Sequence, residues 1–309
     1  MTGAGISITR ATELGAKYAD DKTLRSAAVQ LRRGLDEGKT IAQALHGQLR
    51  DMEFRIIEAA EKGGRLPDGF QHLTEYYDVM ASARQKMLSA LAYPVLLLHA
   101  ATVLPALTMA VITGAPVLPA VLQSLFWIYV IIAACWILCV LLQRAGRFSV
   151  AVDTILCAIP VFGKCRRLFS LTRWYAVLHF HVVSGQRLSD AFSAAGDACD
   201  TASIAAASRK LAQITAGGDS AGATMLQQSA FPGECATGFT VAEETGSLDV
   251  ETADRAKSCM IDASRALALV AEWLPRLIYF GALAYTAWQI LNIGAASMKD
   301  TSEAMKELG

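Results

Sequence analysis

Charged residues are scarce in this chain, which argues against an ordinary soluble domain. Lysine, arginine, aspartate and glutamate make up 18% of its 309 residues, against about 25% in an average soluble domain. Hydrophobic residues make up 53%, and the mean hydropathy is +0.35. This balance indicates a membrane protein. The 28 basic residues are matched by 28 acidic ones, so the chain has no overall positive field and no nucleic-acid partner is predicted.

Several patterns that carry chemistry are also missing. The seven cysteines include no Cys-x-x-Cys pair, which argues against a disulfide framework and a zinc ribbon. No alternating strand pattern or Asn-Gly hairpin occurs, so strands are not predicted. There is no Walker lysine loop, so any ATP must be hydrolysed by a partner, and no cofactor or metal is predicted. The opening "MTGAGISITR" has no apolar core, so a cleavable signal peptide is not expected.

Three long apolar runs are present instead. Residues 88–113 and 120–142 contain no charged residue, and the link "GAPVLPA" between them is full of helix breakers, which predicts a tight turn. A third run covers residues 273–293. Because about 20 helical residues cross a bilayer core, the sequence predicts three transmembrane helices.

Basic residues near the ends of these runs predict the orientation. They precede the first and third runs and follow the second, whereas the link has none. They are Arg84, Lys86, Arg144, Arg147, Lys164, Arg166, Arg167, Arg255, Lys257 and Arg265. By the positive-inside rule, the N-terminus and the long middle region are expected in the cytoplasm. The tail over residues 294–309 is then expected on the opposite side.

A short segment occurs twice, each time ahead of an apolar run. "AEKGGRL" at 60–66 and "AEETGSL" at 242–248 share four identities. Upstream, "GISITRATELGA" parallels "GQRLSDAFSAAGDA", with Gly5 paired with Gly185, and the offset changes only from 180 to 182 residues. Internal repeats of this kind decide how the whole fold is interpreted.

The repeat predicts an all-α membrane protein with two cytoplasmic helical modules. The first module covers residues 1–87 and the second covers residues 143–266. Both show apolar residues at three- and four-residue spacings, as amphipathic helices do. Two modules that share one side of the membrane need an extra helix between them, and the run at 120–142 supplies that return path.

Each repeated segment contains a glutamate, a glycine and a leucine that are candidate structural and interaction residues. They are Glu61, Gly64 and Leu66 in the first module and Glu243, Gly246 and Leu248 in the second. The glycine is expected to end a helix in the left-handed conformation, and the leucine to pack back on the last turn. The glutamate stands near a helix C-terminus, where negative charge is unfavourable by a few tenths of a kcal/mol or more. A compensating partner is therefore expected: the N-terminus of another helix, an arginine or a cation.

These segments resemble the Gly-Glu-x-Ser-Gly-x-Leu signature of the type II secretion system F-domain family. The stretches "IPVFGK" at 159–164 and "HVVSGQRLSDAF" at 181–192 are also similar to this family. The resemblance covers nearly the whole chain and implies that both modules are helical bundles of a six-helix type. Ala60 and Ala242 replace the first glycine of the signature. The first module is also expected to lack the family's opening helix, because only four residues precede Gly5.

The resemblance implies a scaffold without catalytic residues. Members of the family are inner-membrane platform proteins of type II secretion and type IV pilus machines. The implied partners are a cytoplasmic hexameric ATPase, pilin-like subunits, other inner-membrane assembly components and membrane lipid. Spans rich in small residues predict homo-oligomerisation. The implied location is the bacterial inner membrane, as a multi-pass protein.

Other motifs support weaker alternatives. "GDSAG" at 218–222 fits the nucleophile elbow of serine hydrolases, but the preceding sequence is helical, so Ser220 is expected to begin a helix. His179 and His181 lie two residues apart and face different sides of a helix, which argues against a metal pair. His99 in the first span is expected to make hydrogen-bonded packing, although an ionisable group in a membrane is a functional candidate.

The acidic residues around the second segment suggest one more site. Glu243, Glu244 and Asp249 would offer oxygens to calcium, but they lack EF-hand spacing. A small transporter or permease is the main alternative function for the chain. Transporters usually carry charged or broken-helix sites at the midplane, and the central parts of these spans have no acid or base. A membrane-bound hydrolase would rest on Ser220 alone.

Overall fold

A computed structural model describes the backbone of residues 8–18, 21–114, 116–159 and 162–307. Within these ranges the chain is helical and contains no strand, so the all-α prediction is confirmed. The helices are α1 (Ile8–Tyr18), α2 (Lys22–Asp36), α3 (Ile41–Ala44), α4 (Asp51–Lys62), α5 (Leu66–Thr113), α6 (Val117–Phe148), α7 (Val150–Ala158), α8 (Phe162–Val183), α9 (Leu188–Asp197), α10 (Ala202–Ala216), α11 (Ala221–Leu226), α12 (Gly233–Thr245) and α13 (Leu248–Glu307).

Three of these helices are long and apolar enough to cross a membrane. The candidate segments are Leu66–Thr108 in α5, Val117–Phe148 in α6 and Leu248–Trp288 in α13, which confirms the predicted number of candidate spans. Each helix extends well beyond its apolar run. Helix α5 starts directly after the glycine stop at Gly64, and Pro67 and Asp68 are residue types that suit the first turn of a helix.

The link between α5 and α6 is shorter than the sequence predicted. Helix α5 ends at Thr113, Gly114 has a φ of 66°, and α6 begins at Val117. Pro119 therefore lies in the first turn of α6, where its missing N–H costs no intrahelical hydrogen bond. Gly114 and Pro116 are the residues that the structure describes between these two helices. The predicted tail is also partly helical, since α13 runs to Glu307.

The chain divides into two compact units. One contains Met1–Met80 and Arg144–Ala266, and the other contains Ala81–Gln143 and Leu267–Gly309. The first unit therefore holds most of both predicted modules. Buried residues of the first module, such as Ile56 and Ile57, belong to the same hydrophobic cluster as Trp174 of the second.

The helices of the two predicted modules, called the first and second module below, follow the same order. Helices α1 to α5 correspond in sequence order to α9 to α13, and the structure describes no counterpart of α8 in the first module. Gly5 lies outside the described residues, so its expected pairing with Gly185 has no structural counterpart here. The offset between corresponding residues changes from 180 to 182 within one pair of short helices, because α3 has 4 residues and its counterpart α11 has 6. The connections before and after α3 have the same lengths as those before and after α11.

Helix α8 forms the centre of the first unit. Trp174 is fully buried, its Nε1 donates to Ser208 Oγ at 2.7 Å, and its ring stacks on Phe192 at 5.8 Å. At the end of α8, Ser184 Oγ donates to the backbone oxygen of Ala59 on α4 at 2.7 Å. Burial of an aromatic side chain of this size contributes about 1.5–3 kcal/mol. Helix α8 thus holds the end of α4, where Glu61 lies, against the second module.

Candidate functional site: two carboxylate caps

Glu61 binds the N-terminus of a neighbouring helix. It lies on the last turn of α4, and its two carboxylate oxygens accept hydrogen bonds from the backbone N–H groups of Ile41 and Ala42 at 2.8 and 3.2 Å. These are the first two residues of α3. Among the three partners considered for this glutamate, the structure contains the helix N-terminus.

Glu243 has the same surroundings in the second module. It lies on the last turn of α12 and accepts from the N–H groups of Ala221 and Gly222 at 2.9 and 2.8 Å. These are the first two residues of α11. Ser220 Oγ also donates to Glu243, at 2.7 Å. We call each arrangement a carboxylate cap, meaning Glu61 with the N-terminus of α3, and Glu243 with that of α11.

Electrostatics explains why a glutamate is tolerated at these positions. A carboxylate near a helix C-terminus is unfavourable by about 0.3–1 kcal/mol. The first amides of a helix have no intrahelical acceptor, and a hydrogen bond to a charged group contributes about 1.5–3 kcal/mol. Two such bonds outweigh the cost. The short helices α3 and α11 would be marginal alone, so each carboxylate cap fixes a short helix on a longer one.

Both helices that carry a cap end in the same way. Gly64 and Gly246 have φ values of 67° and 73°, in the left-handed region that favours glycine. The N–H of the following residue then bonds the carbonyl five residues back, as Arg65 to Ala60 at 2.7 Å shows. Ser247 bonds Ala242 in the same way at 2.9 Å. This is the Schellman arrangement.

The leucines that follow both lie against the hydrophobic core. Leu66 and Leu248 are partly buried and pack on the cluster that contains Trp174. Ala60 and Ala242, which replace the first glycine of the family signature, are 0% and 3% exposed. Gly69 on α5 faces Ala60 so closely that a Cβ at position 69 would lie 2.8 Å from the Ala60 Cβ. The Ala60 methyl group therefore has room only because residue 69, in the next helix, is a glycine without a side chain.

A third carboxylate, which the sequence did not indicate, caps another helix. Asp153 on α7 is 0% exposed and accepts from the N–H and Oγ of Ser203 at 3.0 and 2.6 Å. Ser203 is in the first turn of α10. Arg166 Nε donates to the other oxygen of Asp153 at 3.1 Å. Asp153 is the one acidic residue within the apolar stretch "VAVDTILCA". A single acid among apolar residues is the sequence feature that could have indicated a buried carboxylate with a partner.

Ser220 begins helix α11, as predicted. Its Oγ accepts from Ala223 N at 3.5 Å, which is the bond of an N-cap residue. Helix α10 precedes this loop, whereas a nucleophile elbow follows a strand. Thr40 stands in the corresponding position of the first module and caps α3 through Gln43 N. Ser220 is thus part of a carboxylate cap.

The histidines have separate surroundings. His179 Nδ1 lies 3.2 Å from Thr252 Oγ1, whereas His181 is buried and its Nδ1 lies 2.9 Å from the Val177 oxygen. Burial lowers the pKa of both imidazoles. Within the part of the chain that the structure describes, no group of three or more histidine, cysteine, aspartate or glutamate side chains is arranged to hold a metal ion. The Glu243 oxygens suggested for calcium accept from backbone amides instead.

His99 links two apolar helices. Its Nδ1 lies 2.7 Å from the Val95 oxygen on α5, and its Nε2 lies 2.7 Å from the Tyr129 hydroxyl on α6. Because the carbonyl can only accept, Nδ1 donates and Nε2 accepts from tyrosine. The predicted hydrogen-bonded packing of His99 is confirmed.

Comparison with known proteins identifies the first part of the chain. The family described as Type II secretion system (T2SS), protein F, matches residues 1–114. Residues 1–114 are therefore similar to a type II secretion system protein F domain, and we refer to this stretch as the F domain. The F domain contains α1 to α5, so it includes Glu61 and its carboxylate cap.

Curated relatives extend the similarity beyond the F domain. The chain is 22% identical to type IV pilus assembly protein PilC of Pseudomonas aeruginosa over 81% of this chain and 73% of that protein. It is 23% identical to PilC of Thermus thermophilus, over 81% of this chain and 67% of that protein. It is 21% identical to type II secretion system protein F of Xanthomonas campestris, over 86% of this chain and 72% of that protein. The resemblance inferred from the repeated segments is confirmed.

Proposed function

We propose that this protein is an inner-membrane platform of a type II secretion or type IV pilus assembly machine. The observation that carries the proposal is the extent of the similarity. Relatives named type IV pilus assembly protein PilC match 81% of the chain, which is far more than the F domain alone. Three helices long and apolar enough to span a membrane support the location.

In this proposal the first unit works as a rigid cytoplasmic body. Its rigidity is supported by the single hydrophobic cluster that joins residues of both modules and by the two carboxylate caps. A body of this kind transmits force between a cytoplasmic hexameric ATPase and pilin-like subunits in the membrane. The protein itself supplies no chemistry, and ATP is hydrolysed by the ATPase.

The apolar helices are proposed to contact lipid, pilin-like subunits and further copies of the chain. Most of the described residues of α6 are exposed, including Trp127 and Trp136, which are 58% and 68% exposed. Surfaces of this size in a membrane are covered by lipid or by other helices. We propose homo-oligomers as one of these contacts. Crosslinking in native membranes that yields monomers alone would contradict this point.

The proposal is tested by deleting the gene and restoring it. Deletion is expected to abolish secretion of the exported protein or assembly of pili, and the wild-type gene to restore it. Affinity purification of the full chain from membranes is expected to recover a hexameric secretion ATPase. Normal secretion and piliation in the deletion strain would overturn the proposal. A transporter would instead show substrate accumulation in vesicles that contain the purified chain.

A further inference from the structure

A cleft in the second module lies between α7, α10 and the turn that follows α11, and we call it the α7 cleft. Its volume is about 510 Å³, which is within the usual range of ligand pockets. One wall is the side of α7 that carries Val150 and Thr154, and the other is the face of α10 that carries Ala206 and Lys210. Residues 227–230 complete the lining.

The α7 cleft begins close to the end of an apolar helix that is long enough to cross a membrane. Helix α6 ends at Phe148, and only Ser149 separates it from Val150, the first residue of α7. Because consecutive Cα atoms are about 3.8 Å apart, Val150 lies within roughly 8 Å of the end of α6. The uncharged run of α6 stops at residue 142, and the last six residues of the helix add about 9 Å. The headgroup layer is roughly 5–8 Å thick on each side of a bilayer core, so α7 starts at this layer.

The outward face of α7 is apolar. Val150, Ile155 and Ile159 are 49%, 68% and 45% exposed, and none of the exposed residues of α7 is charged. The one polar side chain among them, Thr154, donates its hydroxyl to the backbone oxygen of Val150 at 2.8 Å. The exposed side of a helix in water usually carries charged residues. An apolar face beside a membrane-spanning helix is instead typical of helices that lie at the boundary between headgroups and acyl chains.

The other side of the α7 cleft is basic. Arg167 and Lys210 line it, and the lining residues that the structure describes include no aspartate or glutamate. Nη2 of Arg167 donates to the backbone oxygens of Ser229 and Ala230 at 2.8 and 2.9 Å, which orients the guanidinium and leaves its Nε and Nη1 donors for another acceptor. Lys210 is exposed and has no carboxylate partner among the described residues. Two cations in one cleft attract an anion.

A buried donor in the cleft also needs an acceptor. Gln228 lines the cleft, and its Nε2 is buried without a hydrogen-bond partner in the described part of the chain. An unpaired buried donor is unfavourable, so a ligand with acceptor oxygens fits here. The carboxylate of Asp153, behind the α7 wall, does not oppose an anion, because it pairs with Arg166 at 3.1 Å. Asp153 also accepts from Ser203 on α10, which fixes the two walls relative to each other.

We infer that the α7 cleft binds the phosphate group of an anionic phospholipid in the leaflet next to the end of α6. The phosphate oxygens accept from Lys210, Arg167 and Gln228, and the acyl chains lie along the apolar face of α7. Basic pockets beside membrane-spanning helices bind anionic headgroups in this way. The inference goes beyond the platform proposal, because it names a lipid class and its site and requires only that α6 crosses a membrane.

Native mass spectrometry of the purified full chain in detergent tests the lipid preference. The probes are phosphatidylglycerol and phosphatidylcholine with identical acyl chains, each titrated separately. Phosphatidylglycerol is expected to bind at least about fivefold more tightly, and equal affinities would overturn the inference. Inorganic phosphate in large excess is expected to leave the lipid bound. Displacement of the lipid by phosphate would show that the cleft takes a soluble anion, and the lipid assignment would fail.

Matched variants locate the site on α10. Lys210→Glu is expected to weaken phosphatidylglycerol binding about fivefold or more, and Lys210→Gln to weaken it less. Arg209→Glu reverses the neighbouring exposed cation, which does not line the cleft, and is expected to bind like the wild type. Ala206→Phe fills the cleft without a change of charge and is expected to weaken binding, whereas Ala216→Phe, at the exposed end of α10, is its control. Equal effects of the two charge reversals would overturn the inference.

Photocrosslinking in native membranes tests what covers the apolar face of α7. A photoreactive amino acid at Ile155 is expected to label phospholipid. The same group at Val241 on α12, which is an apolar residue with 54% exposure, is the control and is expected to label no lipid. Labelling of a protein at Ile155 in place of lipid, including a second copy of this chain, would overturn the inference. These measurements involve no secretion machine, so failure of the platform proposal in the deletion strain leaves them unaffected.

Discussion

Glu61 and Glu243 each connect the end of one helix with the start of another. Their side chains take an unfavourable position in their own helix and a favourable one with respect to α3 and α11. Each glutamate therefore stabilises the packing of two helices against each other and not the helix that carries it. Substitution of the glutamate measures this contribution as a change in the free energy of unfolding.

Replacing either glutamate with glutamine is expected to destabilise the first unit. In Glu61→Gln and Glu243→Gln, one oxygen becomes an NH₂ group that points at a backbone N–H, so one charge-assisted bond is lost. The expected loss is about 1–2 kcal/mol for each variant. Thermal unfolding in detergent measures it. Glu244→Gln changes an exposed neighbour and is expected to leave the melting temperature unchanged; an equal shift in all three variants would count against the carboxylate caps.

Positions 64 and 246 require glycine because of their backbone conformation, and not because a larger side chain would clash with a neighbour. Both have positive φ, and a Cβ at either position would meet no atom within 4 Å. Gly64→Ala and Gly246→Ala are expected to cost about 1–2 kcal/mol, and Gly246→Asn less, because asparagine tolerates this conformation. Gly233→Ala, at an ordinary φ with open space, is the control. Denaturant unfolding of these variants gives the comparison, and equal stability of Gly246→Ala and wild type would contradict it.

At the scale of single residues, the sequence predicted what depends on local backbone geometry. Gly64 and Gly246 were identified as helix stops because left-handed glycine is a local requirement. The bond between Glu61 and the α3 amides joins residues 19 and 20 positions apart. The position of Glu61 near a helix C-terminus indicated that its charge needs a partner. The sequence did not indicate whether this partner is a helix N-terminus, an arginine or a cation.

Helix α7 shows the same principle between elements of the second module. Asp153 connects α7 with the first turn of α10 and with Arg166 on α8. Arg166 also donates to the backbone oxygen of Asp200 at 2.6 Å. One buried carboxylate therefore fixes three helices relative to each other.

Removal of this carboxylate charge is expected to be more damaging than loss of either carboxylate cap. The Arg166 side chain is only 10% exposed, so Asp153→Asn leaves a nearly buried guanidinium without its counter-ion. Breaking a buried pair in this way costs about 3–5 kcal/mol. Chemical denaturation of the full chain measures the loss, with the exposed Asp254→Asn as control. A loss no larger than that of Asp254→Asn would show that Asp153 does not hold these helices.

Helix α8 carries two histidines, His179 and His181, whose charged forms are disfavoured by folding. Burial is the largest cause that lowers the pKa of His179 and His181. Lys62 and Arg55 lower the pKa of His181, while Glu58 and the bond to Val177 oppose this shift. The neutral form of each imidazole is therefore favoured in the folded chain.

The fold is expected to lose stability as the pH falls below about 6.5, the ordinary pKa of histidine. The unfolded chain then takes up protons that the folded chain does not, because the folded-state pKa values are lowered. The free energy of unfolding therefore has its full value above pH 6.5 and decreases as the pH falls towards the lowered pKa values of the folded chain. Urea unfolding between pH 7.5 and 5.5 measures this. His181→Gln is expected to flatten the profile, and a profile that is flat in the wild type would contradict the expectation.

At the scale of elements, the sequence predicted the helices better than their contacts. Periodicity indicated α2 and α4, since their apolar spacing is a local pattern. It did not indicate that the end of α8 bonds α4, because Ser184 and Ala59 are 125 positions apart. The sequence divided this region into a polar module that ends at residue 87 and an apolar span over residues 88–113. It did not predict that a single helix, Leu66–Thr113, crosses that boundary without a break.

Across the first unit, residues far apart in the chain form one core. Arg147 pairs with Asp51, and Arg173 pairs with Asp200 close by. Arg55 and Asp197, on α4 and α9, lie 3.1 Å apart. Such exposed pairs contribute little each, so the hydrophobic cluster around Trp174 carries most of the stability. This core can form only if residues 1–80 and 144–266 lie on the same side of a membrane.

Two tags test that requirement. Gly47 and Gly218 lie in exposed loops of the first and second modules and have φ values of 89° and 90°, so short insertions there are expected to be tolerated. Protease sites at both positions are expected to be cut from the cytoplasmic side in inverted vesicles. A site at Gly114, between α5 and α6, is expected to be protected there and cut in spheroplasts. Cleavage of the Gly47 and Gly218 sites from opposite sides would mean that α4 and α8 do not share a core, and the platform proposal would fail with that result.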